Sequence, residues 1–200
     1  MKRPAQTSYL NIYDAIFGRI AQGHYRPVHR IGITALAQSL GVSTTPVREA
    51  LRQLAGRDVV VERHREGFYL APLNARAIVS LYAAHELWMD RALQMPTHRP
   101  MKRGRHRSLW HLFESRTAAT GDPIIISVRR YLDDRLLVLR KHERAAHLDP
   151  DTHARGFAEA LADEDTQAAH AINREFHQKC KEAAGQLADA HEGHGQSRQI

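Results

Sequence analysis

The sequence predicts a mainly α-helical protein with one small β-hairpin in its first third. Three observations lead to this fold class. Apolar residues recur at intervals of three and four along most of the chain, which is the spacing of amphipathic helices. One short stretch of β-type residues around Gly67 interrupts that pattern. Hydrophobic residues make up 42% of the chain and aromatic residues only 6%, which favours a compact helical protein.

Two helices and a connector precede the residues that carry the main motif. Tyr9–Ala21 has apolar residues at helical spacing, and Gly23 follows its end. Residues 24–33 are predicted as a connector, because Pro27 and Gly32 resist a continued helix. The second helix has an apolar face of Ala35, Leu36 and Leu40, and Gly41 can end it at positive φ without steric cost.

A third helix is predicted to begin after Ser43, whose hydroxyl can accept a backbone N–H as the N-cap. Pro46 suits the first turn, where its missing N–H costs little. Apolar residues at i, i+4 and i+7 point inward, namely Val47, Leu51 and Leu54. A neighbouring stripe carries hydroxyl and guanidinium groups and no carboxylate, namely Thr44, Arg48 and Arg52. Such a helix can enter a major groove and meet phosphates and base edges.

The β-type stretch predicts a hairpin directly after the third helix. Val59–His64 and Phe68–Ala71 are strand-like, with Gly67 placed in the turn. Together, LAQSLGVSTTPVREAL and EGFYLAPL resemble the GntR family of bacterial transcription regulators over about 40 residues. The resemblance implies an N-terminal winged helix-turn-helix, built from three helices plus the hairpin as its wing.

The sequence departs from the GntR pattern at two places. Relatives often carry charged residues where Ile33 and Thr34 stand, and Arg30 is nearby but out of register. Relatives often have Arg-Thr where this chain has Thr44–Thr45, so the third helix has one cation fewer at its N-terminal end. The predicted DNA-binding residues are Thr44, Thr45, Arg48, Arg52, Arg65 and Gly67, with His64 a weaker candidate.

An all-helical bundle is predicted to follow the wing. Arg76 to Met95 is long and periodic, and its LYAAHELW resembles the opening of the FCD-type effector domain found in the FadR branch of GntR regulators. His85 stands where relatives commonly have Arg. Residues 95–107 hold two prolines and five cations at a place where relatives have most of another helix, so the domain is shortened by about 25 residues.

Further helices are predicted over Ser108–Ala119, Ile124–Arg140, His153–Leu161 and Asp165–Ala183. The apolar stripe from Ile124 to Leu139 can supply core or dimer surface, and the charged residues Asp133, Asp134, Arg135 and Arg140 are interpreted as its solvated face. The domains are predicted as residues 1–73 for DNA binding and 74–188 for dimerisation and effector binding. Residues 189–200 are predicted as a disordered tail.

Charge is distributed unevenly along the chain, whose formal net charge is +7. Residues 1–147 carry 24 Lys and Arg against 12 Asp and Glu, whereas residues 148–200 carry 5 against 10. The basic part suits a polyanionic partner. The single Cys180 excludes an internal disulfide framework. The chain has no apolar run of about 18 residues and no signal-peptide pattern, so we expect a soluble, cytoplasmic protein without a membrane partner.

The function predicted from these features is sequence-specific binding of a double-stranded DNA operator by a homodimer that regulates transcription. The FadR-branch resemblance implies a possible small, carboxylate-type effector in the helical domain. One alternative is a basic architectural nucleic-acid-binding protein that uses the cations of 95–107 and has no effector control. A metal-dependent enzyme is suggested only by the 14 histidines; no HExxH or phosphate-binding glycine loop supports it, and we expect no enzyme activity.

The sequence predicts neither a cofactor nor the metal site that many FCD-type relatives carry. Those relatives place an Asp four residues before a His, with single histidines on two later helices. If His111 is the first His, Arg107 holds the Asp position. In the alternative register, Leu109 holds the Asp position and Phe113 holds the His position. His153 and His177 each lie one residue from the later positions, and one residue turns a side chain by about 100° around a helix.

Overall fold

The computed structural model describes residues 9–27, 29–97, 108–144, 146, 148 and 150–193. The chain divides into two compact units, one of Met1–Pro72 with His191–Ile200 and one of Leu73–Ala190. The fold class is as predicted: a winged helix-turn-helix followed by helices. Among the described residues, no helix combines the length and apolar character needed to cross a bilayer.

The first unit is a three-helix domain closed by a small antiparallel sheet in the strand order β1-β3-β2. Its core is aliphatic, with Ile16, Ile20, Leu51 and Leu54 fully buried where α1 packs on α3. Burial of such side chains stabilises the domain by roughly 1.5–3 kcal/mol each. The elements are α1 (Tyr9–Ala21), β1 (Arg30–Ile31), α2 (Ile33–Leu40), α3 (Thr44–Ala55), β2 (Val60–Arg63) and β3 (Gly67–Leu70).

The turn between α2 and α3 has the predicted glycine at the end of α2 but lacks the predicted side-chain cap at the start of α3. Gly41 adopts φ +66° and its backbone N–H donates to the last turn of α2, as predicted. Ser43 occupies the N-cap position of α3, but its side chain makes no capping hydrogen bond, so that prediction was wrong. On α2 the inner face is formed by Leu36 and Ala37, while Ala35 is exposed rather than buried.

The sheet contains one strand that the sequence did not reveal. Arg30 and Ile31, assigned to a connector, form β1 and pair with Tyr69 and Phe68. A two-residue strand is too short to show alternation, which explains why it was missed. Gly67 is the first residue of β3 and not a turn residue; the residue at positive φ within the turn is Arg65, at +61°.

The second unit is an all-helical bundle in which α4 packs against α6 and α8, and α7 packs against α5 and α8. Aromatic rings fill its centre, with Phe113 in contact with Phe157, Phe176 and Trp110. Its helices are α4 (Ala75–Gln94), α5 (Leu109–Ala118), α6 (Pro123–Arg140), α7 (Pro150–Ala162), α8 (Thr166–Glu182) and α9 (Ala184–Glu192).

Two predictions for the second half of the chain need correction, and one lies outside the described residues. Helix α9 extends to Glu192, so residues 189–192 are helical rather than a disordered tail; residues 194–200 are not described. The predicted solvated face of α6 turns inward in part, since Asp133 is only 15% exposed. Most of the basic stretch 95–107 lies outside the described residues.

Candidate nucleic-acid interface

Helix α3 presents the predicted polar stripe on its exposed side. Val47 and Leu51 are fully buried and fix the helix against the domain core. Thr44, Thr45 and Arg48 are exposed on the opposite side. The first turn therefore offers two hydroxyl groups, and the second turn offers a guanidinium group, to whatever lies in front of the helix.

The two arginines of α3 have different surroundings. Within the part of the chain that the structure describes, Arg48 has no hydrogen bond or ion pair. Arg52 lies one turn further along, and its Nε is 3.7 Å from a carboxylate oxygen of Glu62 on β2. Both partners of this ion pair are largely exposed, at 60% and 43%. The carboxylate of Glu62 thus partly neutralises Arg52, although the polar stripe of α3 itself contains no carboxylate. Arg48 keeps more of its positive charge available to a partner.

The wing turn carries two arginines that also differ. Arg65 is exposed at the tip, and the described residues provide no ion-pair partner for it. Arg63 lies 3.7 Å from Glu66, and its guanidinium carbon is 4.3 Å from the centre of the Tyr69 ring. Stacking on an aromatic face holds a guanidinium in place while its N–H groups stay available. His64 is exposed beside Arg65.

Gly67 is favoured by its backbone conformation, and the flexible side chain of Arg30 lies against it. Its φ of +108° is a conformation that side-chain-bearing residues rarely adopt, and an added Cβ would lie only 2.8 Å from Nε of Arg30. The side chain of Arg30, which sequence reasoning placed out of register, therefore packs across the glycine on the wing. Only the pairing of β1 with β3 reveals this contact, because 37 positions separate the two residues in the sequence.

The predicted site residues thus gather on two surfaces of the first unit: the exposed side of α3 and the wing. Guanidinium groups can bind phosphate or the edge of guanine through two parallel hydrogen bonds, and threonine hydroxyls can bind either. Arg30 and Arg63 join the set from the wing, and Glu62 opposes it with negative charge.

The second unit holds a buried polar cluster that the sequence did not predict. His85 on α4 is fully buried, with Nδ1 2.7 Å from Nε2 of His177 and Nε2 3.2 Å from Oδ1 of Asp133. Asp133 also forms an ion pair with Arg129, and Arg140 lies 3.2 Å from it. His177 hydrogen-bonds the carbonyl oxygen of Asn173 at 2.7 Å.

Burial and neighbouring groups both shift the pKa values of the side chains in this cluster. It lowers the pKa of His85, although Asp133 acts in the opposite direction. It lowers the pKa of His177 further, because His85 is adjacent. Burial acts to raise the pKa of Asp133, but the hydrogen bond from His85 and two guanidinium charges lower it overall. Burial therefore favours the neutral form of both imidazoles, whereas the two guanidinium groups favour the ionised form of Asp133.

A second buried carboxyl group lies near this cluster. Glu143 accepts a hydrogen bond from Nε1 of Trp110 at 3.1 Å, and Arg140 stacks 4.0 Å from the centre of the same indole ring. Burial raises the pKa of Glu143 to about 7, against the opposing effects of Trp110 and Arg140.

The histidines weighed as metal ligands have different partners. His111 is exposed on α5, 3.7 Å from Glu114. His153 is buried against Phe176 and lies 3.5 Å from Glu175, whereas His177 contacts His85. Among the described residues, no three His, Cys, Asp or Glu side chains come together as a set that could hold a metal ion. The absence of a metal site stays a prediction.

Comparison with known proteins gives a family match within the first unit. Residues 8–70 match the model of the family described as bacterial regulatory proteins, gntR family. The chain is 36% identical over 74 residues to the uncharacterised HTH-type transcriptional regulator YdhC of Bacillus subtilis strain 168, covering 37% of this chain and 33% of that protein. It is 33% identical over 76 residues to the Nta operon transcriptional regulator of Aminobacter aminovorans, covering 38% and 36%.

Those matches span about a third of the length of the curated relatives. Solved structures extend the likeness over most of the chain. McbR/YncC of E. coli has a TM-score of 0.68 at 17% identity, covering 89% of this chain and 97% of that one. A transcriptional regulator GntR from Rhodococcus sp. RHA1 has a TM-score of 0.71 at 17% identity, covering 92% and 99%. At such identities the likeness shows the fold alone. Over residues 8–70, the chain carries a winged helix-turn-helix domain of the gntR family of bacterial regulatory proteins.

Proposed function

We propose that this protein regulates transcription by binding double-stranded DNA sequence-specifically, with α3 in the major groove. The observation that carries the proposal is the exposed first half of α3 within a gntR-family domain, where Arg48 lies beside Thr44 and Thr45 and has no ion-pair or hydrogen-bond partner among the described residues. A bidentate contact from arginine to a guanine edge is worth about 1–3 kcal/mol of discrimination against the wrong base.

The wing is proposed to supply positioning contacts. Arg65 at the tip reaches phosphate or the minor groove, and Arg30 and Arg63 add positive charge on the strands behind it. Phosphate contacts fix the register of a protein on DNA without reading the sequence. The wing therefore contributes mainly to the salt-dependent part of the affinity.

The protein is proposed to act as a homodimer, so that two α3 helices read half-sites about one turn of DNA apart. Most of the stripe from Ile124 to Leu139 faces its own bundle, which leaves other surfaces for dimer contacts. Exposed apolar residues lie along one ridge of α4, where Val79 is 38% and Leu87 is 67% exposed. Ile124 and Tyr131 are exposed on one side of α6, at 64% and 38%.

The helical unit is proposed to be a shortened FCD-type domain of the FadR branch that responds to a small, carboxylate-type effector. Support comes from the resemblance of LYAAHELW at the start of α4 and from a bundle of six described helices after the wing. The two solved structures with TM-scores of 0.68 and 0.71 cover about nine tenths of this chain, which is compatible with a regulator of this architecture.

Selection of bound sequences from a random duplex library tests the proposal. We expect a palindromic consensus, bound by a dimer as measured by light scattering. An Arg65→Ala variant should keep the consensus but lower the dependence of affinity on salt. Enrichment of no sequence, with binding that survives removal of the Arg48 side chain, would favour the architectural alternative instead.

A further inference from the structure

One end of the helical unit contains a cavity that the proposed function does not yet use. It has a volume of about 290 Å³ and lies where the C-terminal ends of α4 and α7 meet the N-terminal end of α8. This size suits a small metabolite at the lower end of ordinary ligand pockets. Small apolar side chains, including Ala160 and Ala169, form part of its wall, and Arg116 reaches it from α5.

Arg116 is held in place on one side and unpartnered on the other. Its side chain is only 4% exposed, and Nη2 donates to the carbonyl oxygens of Leu93 at 3.1 Å and Met95 at 2.7 Å. Its other terminal nitrogen, Nη1, is buried and has no hydrogen-bond partner among the described residues. A buried cationic donor without an acceptor is unfavourable, so an oxyanion that reached Nη1 from the cavity would gain a strong, charge-assisted hydrogen bond.

Among the described residues that line the cavity, the remaining charges are negative. Glu164 and Asp165 connect α7 to α8 and are exposed at its edge. Glu164 sits in a left-handed backbone conformation with φ +56°, and Asp165 caps α8 by accepting from the N–H of Ala168 at 2.9 Å. The cavity therefore combines one buried cation with two carboxylates at its edge.

This arrangement selects against simple anions. A phosphate or dicarboxylate would gain from Arg116 but would be repelled by Glu164 and Asp165. A molecule with one carboxylate and one ammonium group satisfies both sides, because each of its charges faces the opposite charge. We infer that this cavity binds a small amino acid, with its carboxylate on Arg116 and its ammonium group toward Glu164 and Asp165.

A regulatory role for this amino acid depends on the effector control proposed above. Binding of the amino acid itself is measured without DNA. The full chain is titrated calorimetrically with glycine, the proteinogenic L-amino acids, β-alanine and 4-aminobutyrate. Each amino acid that binds is compared with its deaminated carboxylate and with inorganic phosphate. We expect at least one amino acid to bind at least tenfold more tightly than its deaminated analogue. Equal affinity for the two, or no amino acid bound at millimolar concentration, overturns the inference.

Two variants separate ligand binding from a structural role. Arg116→Lys should weaken the amino acid at least tenfold, because lysine cannot form the paired contacts of a guanidinium group. Glu164→Gln should weaken the amino acid while leaving or strengthening binding of the deaminated carboxylate. Matched controls on the exposed side of α7 are Arg155→Lys and Glu159→Gln, which should change neither affinity.

If Arg116→Lys does not fold, Glu164→Gln still tests the inference. Glu164 is exposed, so its replacement should leave the fold intact. An unchanged ratio of amino-acid to carboxylate affinity in Glu164→Gln contradicts the inference. The same titrations distinguish its failure from failure of the proposed function. A chain that binds the amino acid but selects no DNA sequence contradicts only the proposed function, whereas a chain that selects DNA but binds no amino acid contradicts only this inference.

Discussion

Arg48 on α3 and Arg129 on α6 each follow a valine in an amphipathic helix, yet their surroundings are opposite. Arg48 is exposed, and no described residue pairs with it. Arg129 is 4% exposed and pairs with Asp133, which also faces His85 and Arg140. A cation in this protein is therefore available to a partner when no carboxylate lies near it, and committed to the fold when tertiary structure brings a carboxylate to it.

Removal of the committed carboxylate should give the largest effect. Asp133→Ala leaves Arg129 and Arg140 without their shared counter-ion, and breaking a buried pair typically costs about 3–5 kcal/mol. Urea unfolding of the full chain should show a loss of that order. The matched control is Arg144→Ala, because the Arg144–Asp151 pair is 78% and 66% exposed and should contribute less than about 1 kcal/mol. Similar small losses in both variants would mean that Asp133 is solvated after all.

The buried Glu143 should make stability depend on pH. Its pKa is raised to about 7 from 4.5, so the folded protein holds a proton that the unfolded chain releases between these values. Its contribution to stability is therefore fully present below about pH 4.5 and is lost as the pH rises through 7. We expect Glu143→Gln, which keeps an acceptor for Trp110, to gain on the order of 3 kcal/mol relative to wild type between pH 4.5 and 8. Parallel stability curves for the two proteins would contradict the prediction.

Removal of the available cation should affect binding and not folding. Arg48→Ala should weaken the binding of operator DNA by about 1–3 kcal/mol, or roughly fivefold to 150-fold, with an unchanged unfolding midpoint. Arg52→Ala serves as the comparison and should cost less, because Glu62 already competes for that guanidinium. Gel-shift titrations measure both. Equal losses for the two arginines would show that the ion pair does not distinguish them.

The smallest expected effect is a gain. Glu62→Gln removes the carboxylate that approaches Arg52 and one negative charge from the proposed interface, so DNA affinity should rise a few-fold at low salt and less at high salt. The control is Glu49→Gln, because Glu49 is exposed on α3 and its replacement removes one negative charge without breaking the ion pair of Arg52 with Glu62. If both variants gain equally, net charge alone accounts for the change.

The sequence predicted helices α1 to α8 and the exposed stripe of α3, because these depend on local periodicity and on residues within one turn. It could not predict the pair of Arg52 with Glu62, since that contact depends on how β2 lies against α3. It assigned Asp133 to a solvated face because a charged residue beside an apolar stripe is usually exposed. His85 lies on α4, whereas Arg129 lies on α6 with Asp133 itself. Only the packed bundle shows that both side chains contact Asp133.

The contact between Gly67 and Arg30 links two positions of the wing that lie far apart in the sequence. Any side chain at 67 meets both an unfavourable φ and the guanidinium group of Arg30, so a change there alone should disturb the wing. Shortening residue 30 removes the clash but leaves the backbone conformation unfavourable. Altered wings that retain this sheet are therefore expected to keep glycine at 67 and to vary at 30, 63 and 65. A mutant library designed to change DNA preference should randomise those three positions together and leave Gly67 fixed.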